Sequence, residues 1–452
     1  MQTAYDVLIV GAGPAGATAA TLLARAGWSV AVVEKQAFPR RKVCGECIAA
    51  SNLPLLQALG IDLAAFKAAA GAPLRRVAVL QGAQQLDFDL PAAPRAGMEW
   101  GHALGRETLD PLLLDLAREA GAVVWQPWAV DALEGGPGAF RCSLRNATAT
   151  TQRATLTAPL AILANGSWEP LPAQRAQRRT QRRASDLFAF KANFRAGVLP
   201  PGLLPVLSFA GGYGGMVVAG AGVLTLACCV RADRLEQWRR ACPGQSAGEA
   251  VQAMLRREVA GVDAALRTAV REHPWMASGP LHPGVHLRAN DAVLRIGNAA
   301  AEAHPIIGEG MSMAMQSAWL LCAQLLEDGT APHQRSAVAP RQRSARDLAL
   351  WQGQVARRYA RLWHRQFGQR LRMAALLAHA AMRPRWSAPV LQWVLQWVVQ
   401  QWPALPARGV EWCGKTRTVP DAATIARLAA QGRAAPVALS GLAAAGAGQV
   451  PR

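Results

Sequence analysis

Three glycines, Gly11, Gly13 and Gly16, and a carboxylate at Glu34 are spaced like groups that hold a dinucleotide. They sit in YDVLIVGAGPAGATAATLLARAGWSVAVVEK, residues 5–35. Gly11 permits a tight turn, Gly13 lets backbone approach a pyrophosphate, and Gly16 lets a helix pack close to the preceding strand. Pro14 and Ala15 open that helix, whose N-terminal amides and positive dipole end face the phosphates. Glu34 stands where a carboxylate accepts from ribose hydroxyls, and an acid there disfavours a 2′-phosphate, so NADP is not expected at this site. Far downstream, residues 294–314 read LRIGNAAAEAHPIIGEGMSMA. Two such segments at this separation form one clamp around an extended flavin nucleotide, and the pair predicts FAD.

Three further residues carry chemistry of their own. Cys44 begins a CxxC with Cys47. As a metal half-site it has no second CxxC or His pair at zinc spacing, and as a redox dithiol it lacks a thioredoxin-like helix, so no metal is expected. The two cysteines also fit as small apolar residues lining the cofactor loop. Tyr213, in GGYGGMV, can face a substrate above the flavin or pack at a sheet edge. His304 precedes Pro305, and an imidazole titrates near neutrality, which suits proton traffic as well as a buried structural role. His304, Tyr213 and Cys44 are the catalytic candidates.

These residues need elements to position them. Val7–Val10 and Val30–Val33 read as strands buried on both faces, with a helix from Pro14 to about Ala26 between them. A loop leads to a helix from about Ala50, and residues 77–90 alternate like a hairpin at a sheet edge. Residues 103–121 form an amphipathic helix, followed by strands at 123–125 and 160–165. The expected fold is α/β (α+β overall): a discontinuous Rossmann-type FAD-binding domain (1–170 and 285–330) and an antiparallel-sheet substrate domain (185–284). That second domain turns helical from 232 to about 271. A C-terminal helical region (331–433) follows, with helices at 335–382 and 389–402, and then a disordered Ala/Gly-rich tail (434–452).

The chain has 452 residues, 51% hydrophobic and 17% charged, with a net charge of +20 carried almost wholly by Arg. From residue 331 onward there are 18 Lys and Arg against 3 Asp and Glu, a net +15. Anionic lipid or nucleic acid would attract such a surface, and a compositionally biased genome would produce it too. No helix-turn-helix, RNP or zinc pattern accompanies the charge, so nucleic acid is not an expected partner. Trp386, Trp393, Trp397 and Trp402 lie among the basic residues, which fits a peripheral membrane contact or a helix pair packed on the flavin domain. The apolar N-terminus is used up by the nucleotide turn, and no uninterrupted apolar run of about 18 residues exists. Eight irregularly spaced cysteines argue for a reducing compartment. The expectation is a cytoplasmic protein, at most peripheral on the membrane.

With these residues in hand the chain resembles the group A FAD-dependent monooxygenase superfamily, the p-hydroxybenzoate hydroxylase-like flavoproteins. Within it the likeness is to the branch of geranylgeranyl reductases and flavin-dependent halogenases. The resemblance covers about residues 1–330 and rests on GAGPAG with Glu34, on Arg106 in GRETLDPLLLDLA, and on GNAAAEAHPIIGEGMSMA. It implies that Arg106 lies near the flavin nucleotide and that Asn298, where the family has aspartate, binds the ribityl chain. It further implies that Pro305, Gly308 and Gly310 run beside the isoalloxazine ahead of a helix. Lys35, Val130 and Met311 complete the expected cofactor contacts. RRKVCGECI is similar to the KxCG region of the reductases, while the family's middle aspartate–glycine pair appears here as Asn165-Gly166. The segments typical of halogenases (WxWxIP) and of the reductases (YxWxFP) are both missing.

Only one dinucleotide fingerprint is present, since Gly220-Ala221-Gly222 lacks a third glycine and its helix. NAD(P)H is therefore expected as a transient electron donor, or a separate reductase takes its place. The resemblance implies an FAD-dependent oxidoreductase, foremost a monooxygenase that hydroxylates an apolar aromatic or polyketide-like small molecule through a flavin C4a-hydroperoxide. Its alternatives are saturation of isoprenoid double bonds and, in another class, a non-catalytic FAD-binding module.

Overall fold

The computed structural model describes residues 3–166, 182–327 and 344–384. Short runs of Val, Leu and Ile without a polar face need cover on both sides. Val7–Val10, Val30–Val33 and Leu160–Leu163 are buried along their whole length. They pair in parallel, with Val7 opposite both Val30 and Leu160. Val123–Trp125 extends the sheet on one side and Leu294–Arg295 on the other. The strand before the second glycine segment thus joins the sheet that carries the first, as the clamp requires.

Helix Pro14–Arg25 leaves the first strand at once, with proline in its first turn, where the missing N–H costs nothing. Arg106–Glu119 and Gly310–Leu326 pack against it, and Leu22, Leu23, Leu109, Leu113, Trp319 and Leu321 share one core. A three-stranded antiparallel layer, Trp128–Glu134, Phe140–Asn146 and Arg153–Ala158, covers the other face through Cys142, Leu144 and Leu156. A bulge between Val130 and Ala132 breaks its register.

The second sheet has eight strands. Leu187–Arg195, Leu224–Arg231, Gly212–Val218 and Leu203–Phe209 pair antiparallel in that spatial order. Residues of period two divide its faces. Phe190, Ala192 and Phe194 pack with Trp238, Val251, Leu255 and Val262 from the helices Ala232–Ala241, Ala247–Glu258 and Ala260–Ala265. Leu187 and Ala189 face the opposite way, with Tyr213, Cys229 and Ala378.

Two boundaries differ from the sequence reading. The expected hairpin forms as Arg76–Gln81 and Gln84–Asp89, at an edge, but it pairs in parallel with Leu203–Phe209 and so belongs to the second sheet. An alternating hairpin carries no mark of which sheet it will extend, so the division at residue 170 cuts across this sheet. The helical stretch from Ala232 ends in a short strand, Val270–Arg271, paired to Phe194 and Arg195.

The long C-terminal helix runs Ala345–Ala381, capped by Ser344, whose hydroxyl accepts from the Asp347 N–H. Leu348, Val355, Tyr359, Trp363, Phe367, Ala374 and Ala378 form a buried stripe, at spacings of four and seven. Tyr359 donates to the Arg295 carbonyl at 3.0 Å, and Arg370 to Gln316 at 2.9 Å, so the helix is tied to the cofactor domain. The expected helix at 389–402, its tryptophans and the tail lie outside the described residues. No described helix is long and apolar enough to cross a membrane.

Candidate active site

The glycine turn is built by close backbone approach. Gly11 has φ +102°, and a Cβ there would lie 2.5 Å from the Ala164 carbonyl oxygen. A Cβ on Gly16 would lie 1.8 Å from the Gly11 oxygen, so only glycine lets this helix sit on this strand. Gly16 does not line the cavity beside the turn, whereas Gly11, Gly13, Pro14 and Ala15 do.

Glu34 is buried at the end of the second strand. Its carboxylate accepts from the Ala12 and Gln36 N–H groups, each at 3.0 Å, which fixes it at the rim of the turn. Two arginines flank it. Arg106 opens the helix Arg106–Glu119 and binds Asp110 bidentately at 2.6 and 2.7 Å. Burial works against its charge, but Asp110 more than offsets this and holds the guanidinium protonated. Arg40 lies 3.7 Å from Glu34 and 3.5 Å from Asp110 through Nη2. Its Nε and Nη1 are buried with no protein partner. Sequence reading missed Arg40; the run PRRK just after the second strand was the available signal.

FAD fits this end on the structure's own terms. A helix N-terminus, a bare glycine at Gly13 and unpartnered guanidinium nitrogens in one cavity wall are what a pyrophosphate recruits. The cavity, about 380 Å³, continues past Lys35, Val130, Asn165 and Asn298 to Pro305, Gly308, Gly310 and Met311. Val130 and Asp131 reach the wall at the bulge, the device that redirects a side chain. Helix Gly310–Leu326 starts there, so its N-terminus faces the far end of the cavity.

At that far end Tyr213 and His304 meet. The Tyr213 hydroxyl is 3.0 Å from His304 Nδ1, and both residues are buried. Burial, aided by Cys229 and Glu302, pushes the Tyr213 phenol well above its ordinary range. Burial, aided by the nearby His379, lowers His304 to about 4. The pair is neutral at physiological pH. Ala189, Val206, Met216, Leu281 and Ile306 make the wall beside it apolar.

Cys44 also lines the cavity, beside Arg106. Its sulfur accepts from the Glu46 N–H at 3.4 Å, and Cys47 donates to the Gly45 carbonyl at 3.3 Å. Both thiols therefore fold back on their own loop. No cluster of metal-ligating side chains occurs among the described residues, and all seven cysteines there are free. Sequence reading also missed a buried polar cluster behind this loop. Glu46 pairs with Lys191 and accepts from Thr225 Oγ1 at 2.5 Å, while Asn193 donates to Thr225 at 3.0 Å. Lys191 and Asn193 continue the inward-facing set of Leu187 and Ala189, which an alternation count flags once the face is known.

Comparison with known proteins agrees with this geometry. A family model described as FAD binding domain matches residues 4–352. The chain is 24% identical over 398 residues to conditioned medium factor receptor 1 of Dictyostelium discoideum, covering 83% of this chain and 71% of that protein. It is 49% identical over 61 residues to menaquinone reductase of Mycolicibacterium smegmatis, only 14% of this chain and 15% of that one. Among solved structures, the myxobacterial chondrochloren halogenase CndH superposes with a TM-score of 0.65 at 19% identity, over 82% of this chain and 83% of the other. That likeness shows the fold alone.

Proposed function

From its place in the FAD binding domain family, to which the chain belongs, we propose that this flavin-dependent oxidoreductase is a monooxygenase for an apolar phenol. FAD, when bound, supplies the electron transfer and oxygen chemistry, and the protein supplies binding, orientation and proton handling. Arg40, Arg106 and the Gly11–Gly16 turn would hold the pyrophosphate, Glu34 the ribose, and Asn298 the ribityl hydroxyls.

The observation that carries the substrate class is the neutral Tyr213–His304 pair set in an apolar wall. A phenol activated for hydroxylation must lose its proton inside a site that excludes water. Tyr213 can accept from or donate to a substrate hydroxyl while exchanging a hydrogen bond with His304 Nδ1, so the pair holds that proton without a buried charge at rest. Its apolar neighbours suit an aromatic ring with a hydrocarbon chain.

NAD(P)H is the proposed electron donor, bound transiently, or a partner reductase delivers the electrons. Leu350, Leu362, Leu376 and Leu377 are exposed on the long helix beside Arg357, Arg361, Arg365 and Arg372. An apolar and basic surface of that kind supports loading of a lipid-like substrate from an anionic membrane surface.

Reduction of a prenyl double bond is the second reading. The short match to menaquinone reductase supports a reductase, and a Tyr213 hydroxyl that stays protonated can serve as its acid. Oxygen and nicotinamide consumption decide between the two. Added 3-pentadecylphenol is expected to speed both in step. A flavin reoxidised by a polyprenyl quinone or alkene without air, and indifferent to the phenol, would replace the monooxygenase with the reductase.

A further inference from the structure

We propose that Glu46, backed by Lys191 and Thr225, is a second substrate-binding subsite that takes a neutral hydrogen-bond donor, a hydroxyl at the far end of the substrate's hydrocarbon body, an inference that rests on the phenol reading above. The inner face of the antiparallel sheet floors the cavity, and strand pairing sets its residues in rows. Ala189, Cys229 and Tyr213 stand side by side in one row, then Lys191, Ala227 and Gly215, then Asn193, Thr225 and Val217. Tyr213 and Val217 are four residues apart on one strand. At roughly 3.4 Å per residue the first and third rows lie about 14 Å apart.

The middle row leaves room. Ala227 and Gly215 line the cavity there, and a Cβ on Gly215 would meet, beyond its chain neighbours, only the Pro205 carbonyl oxygen at 3.1 Å. Glycine inside a strand weakens it and marks a place where another group comes close. The cavity therefore runs as a trough from Tyr213, over Gly215 and Ala227, to Thr225 and Glu46, and both of these line it. One polar group stands at each end, with an apolar span between them.

The chemistry of the far end selects a donor. Lys191 pairs with Glu46 Oε1, and Thr225 Oγ1 donates to Oε2 at 2.5 Å. A carboxylate has about four lone-pair sites, so both oxygens can accept once more. The Thr225 proton is committed to Glu46, and its oxygen already accepts from Asn193 at 3.0 Å. Lys191 balances the Glu46 charge without lining the cavity, so a neutral hydroxyl fits and a cation is not required. Thr225 is 1% exposed, as Tyr213 is, and Glu46 is wholly buried, which keeps water from competing. An apolar pair would hold the loop at no greater cost, so the retained charges call for a partner in the cavity.

The test is calorimetric binding to the FAD-loaded full chain, without turnover. It compares 3-(8-hydroxyoctyl)phenol, whose two oxygens span a comparable distance when extended, with its aliphatic methyl ether. The ether keeps ring, chain and oxygen and loses the terminal donor. The wild type should bind the alcohol more tightly on the order of 10-fold, the lower end for a hydrogen bond to a charged group. Glu46→Gln turns one acceptor atom into a donor while its carbonyl oxygen stays on Lys191, so the ether should draw level or lead. Lys191→Met/Glu46→Leu should likewise erase the preference, and it decides the matter if Glu46→Gln does not fold. If a phenol binds but the wild type shows no preference, or the variants keep it, the subsite is wrong while the phenol reading stands. Should neither phenol bind, the phenol reading fails, and 8-phenyloctan-1-ol with its methyl ether, which lack the ring hydroxyl, judge the subsite alone. A wild-type preference for that alcohol, lost in Glu46→Gln, then upholds it; equal affinity, or no binding, overturns it.

Discussion

Lys191 and Glu46 form an ion pair with both side chains wholly buried, where the loop after the second strand meets the antiparallel sheet. Glu46 is also one of three non-glycine residues with positive φ among the described residues, at 58°. A left-handed backbone on such a residue costs roughly 1–2 kcal/mol. The pair and the Thr225 hydrogen bond hold the loop in this shape, and with it Arg40 and Cys44 at the cavity wall.

Removing one partner leaves the other charge buried alone. Lys191→Met is expected to destabilise the protein by about 3–5 kcal/mol. The double variant Lys191→Met/Glu46→Leu should recover much of that loss, as an apolar pair needs no compensation. Urea unfolding of the two singles and the double measures the coupling, and strict additivity would show that the pair does not interact.

Gly16→Ala and Gly13→Ala are expected to fail differently. At Gly16 the new methyl meets backbone at 1.8 Å, so helix and strand must part. The variant should lose stability by 1–3 kcal/mol or more, the scale of overpacking (~1–3 kcal/mol), and lose its flavin with it. At Gly13 the nearest atom is Arg106 Nη2 at 3.5 Å, so the chain folds normally and only the phosphate approach is blocked. Melting temperature and the visible flavin absorbance of the purified variants separate the two outcomes.

Much of this was legible beforehand, for physical reasons. Val7–Val10 and Val30–Val33 have no polar face, and a strand buried on both sides leaves no other pattern. The glycine turn is equally plain, because backbone contact at Gly11 and Gly16 admits no side chain. Partners far apart in sequence were not legible. Nothing local says that Arg76–Gln81 pairs with Leu203–Phe209, or that Glu46 lies against Lys191. His304 and Tyr213 were each singled out, yet their hydrogen bond and the neighbouring His379 appear only once three separate elements are packed together.

Arg40 offers two buried nitrogens without a protein partner, so its role is tied to the cofactor. Arg40→Ala is expected to weaken FAD binding by about 1.5–3 kcal/mol, the range for hydrogen bonds to charged groups. Arg40→Lys should fall between, since an ammonium keeps the charge and loses the fork. Flavin titration of the apoprotein reads this directly. Equal affinity in all three would place the pyrophosphate elsewhere.

His304 should leave a mark on stability as pH falls. Its folded value near 4 lies below the ordinary 6.5, so between these two the unfolded chain binds a proton that the folded protein refuses. Stability attributable to this group is intact above about 6.5, declines as pH drops towards 4, and levels below that. His304→Gln should flatten that part of the melting-temperature curve. An unaltered slope would mean that the imidazole is not held neutral.

The central claim is that oxygen from air enters an apolar phenol in the cavity walled by Tyr213 and His304. It is tested most directly by turning over 3-pentadecylphenol with NAD(P)H under ¹⁸O₂, with a reductase supplied if required, and weighing the product. The account predicts one labelled oxygen in a hydroxylated ring, lost in Tyr213→Phe. A product of unchanged oxygen content, or one formed equally well without air, would contradict it.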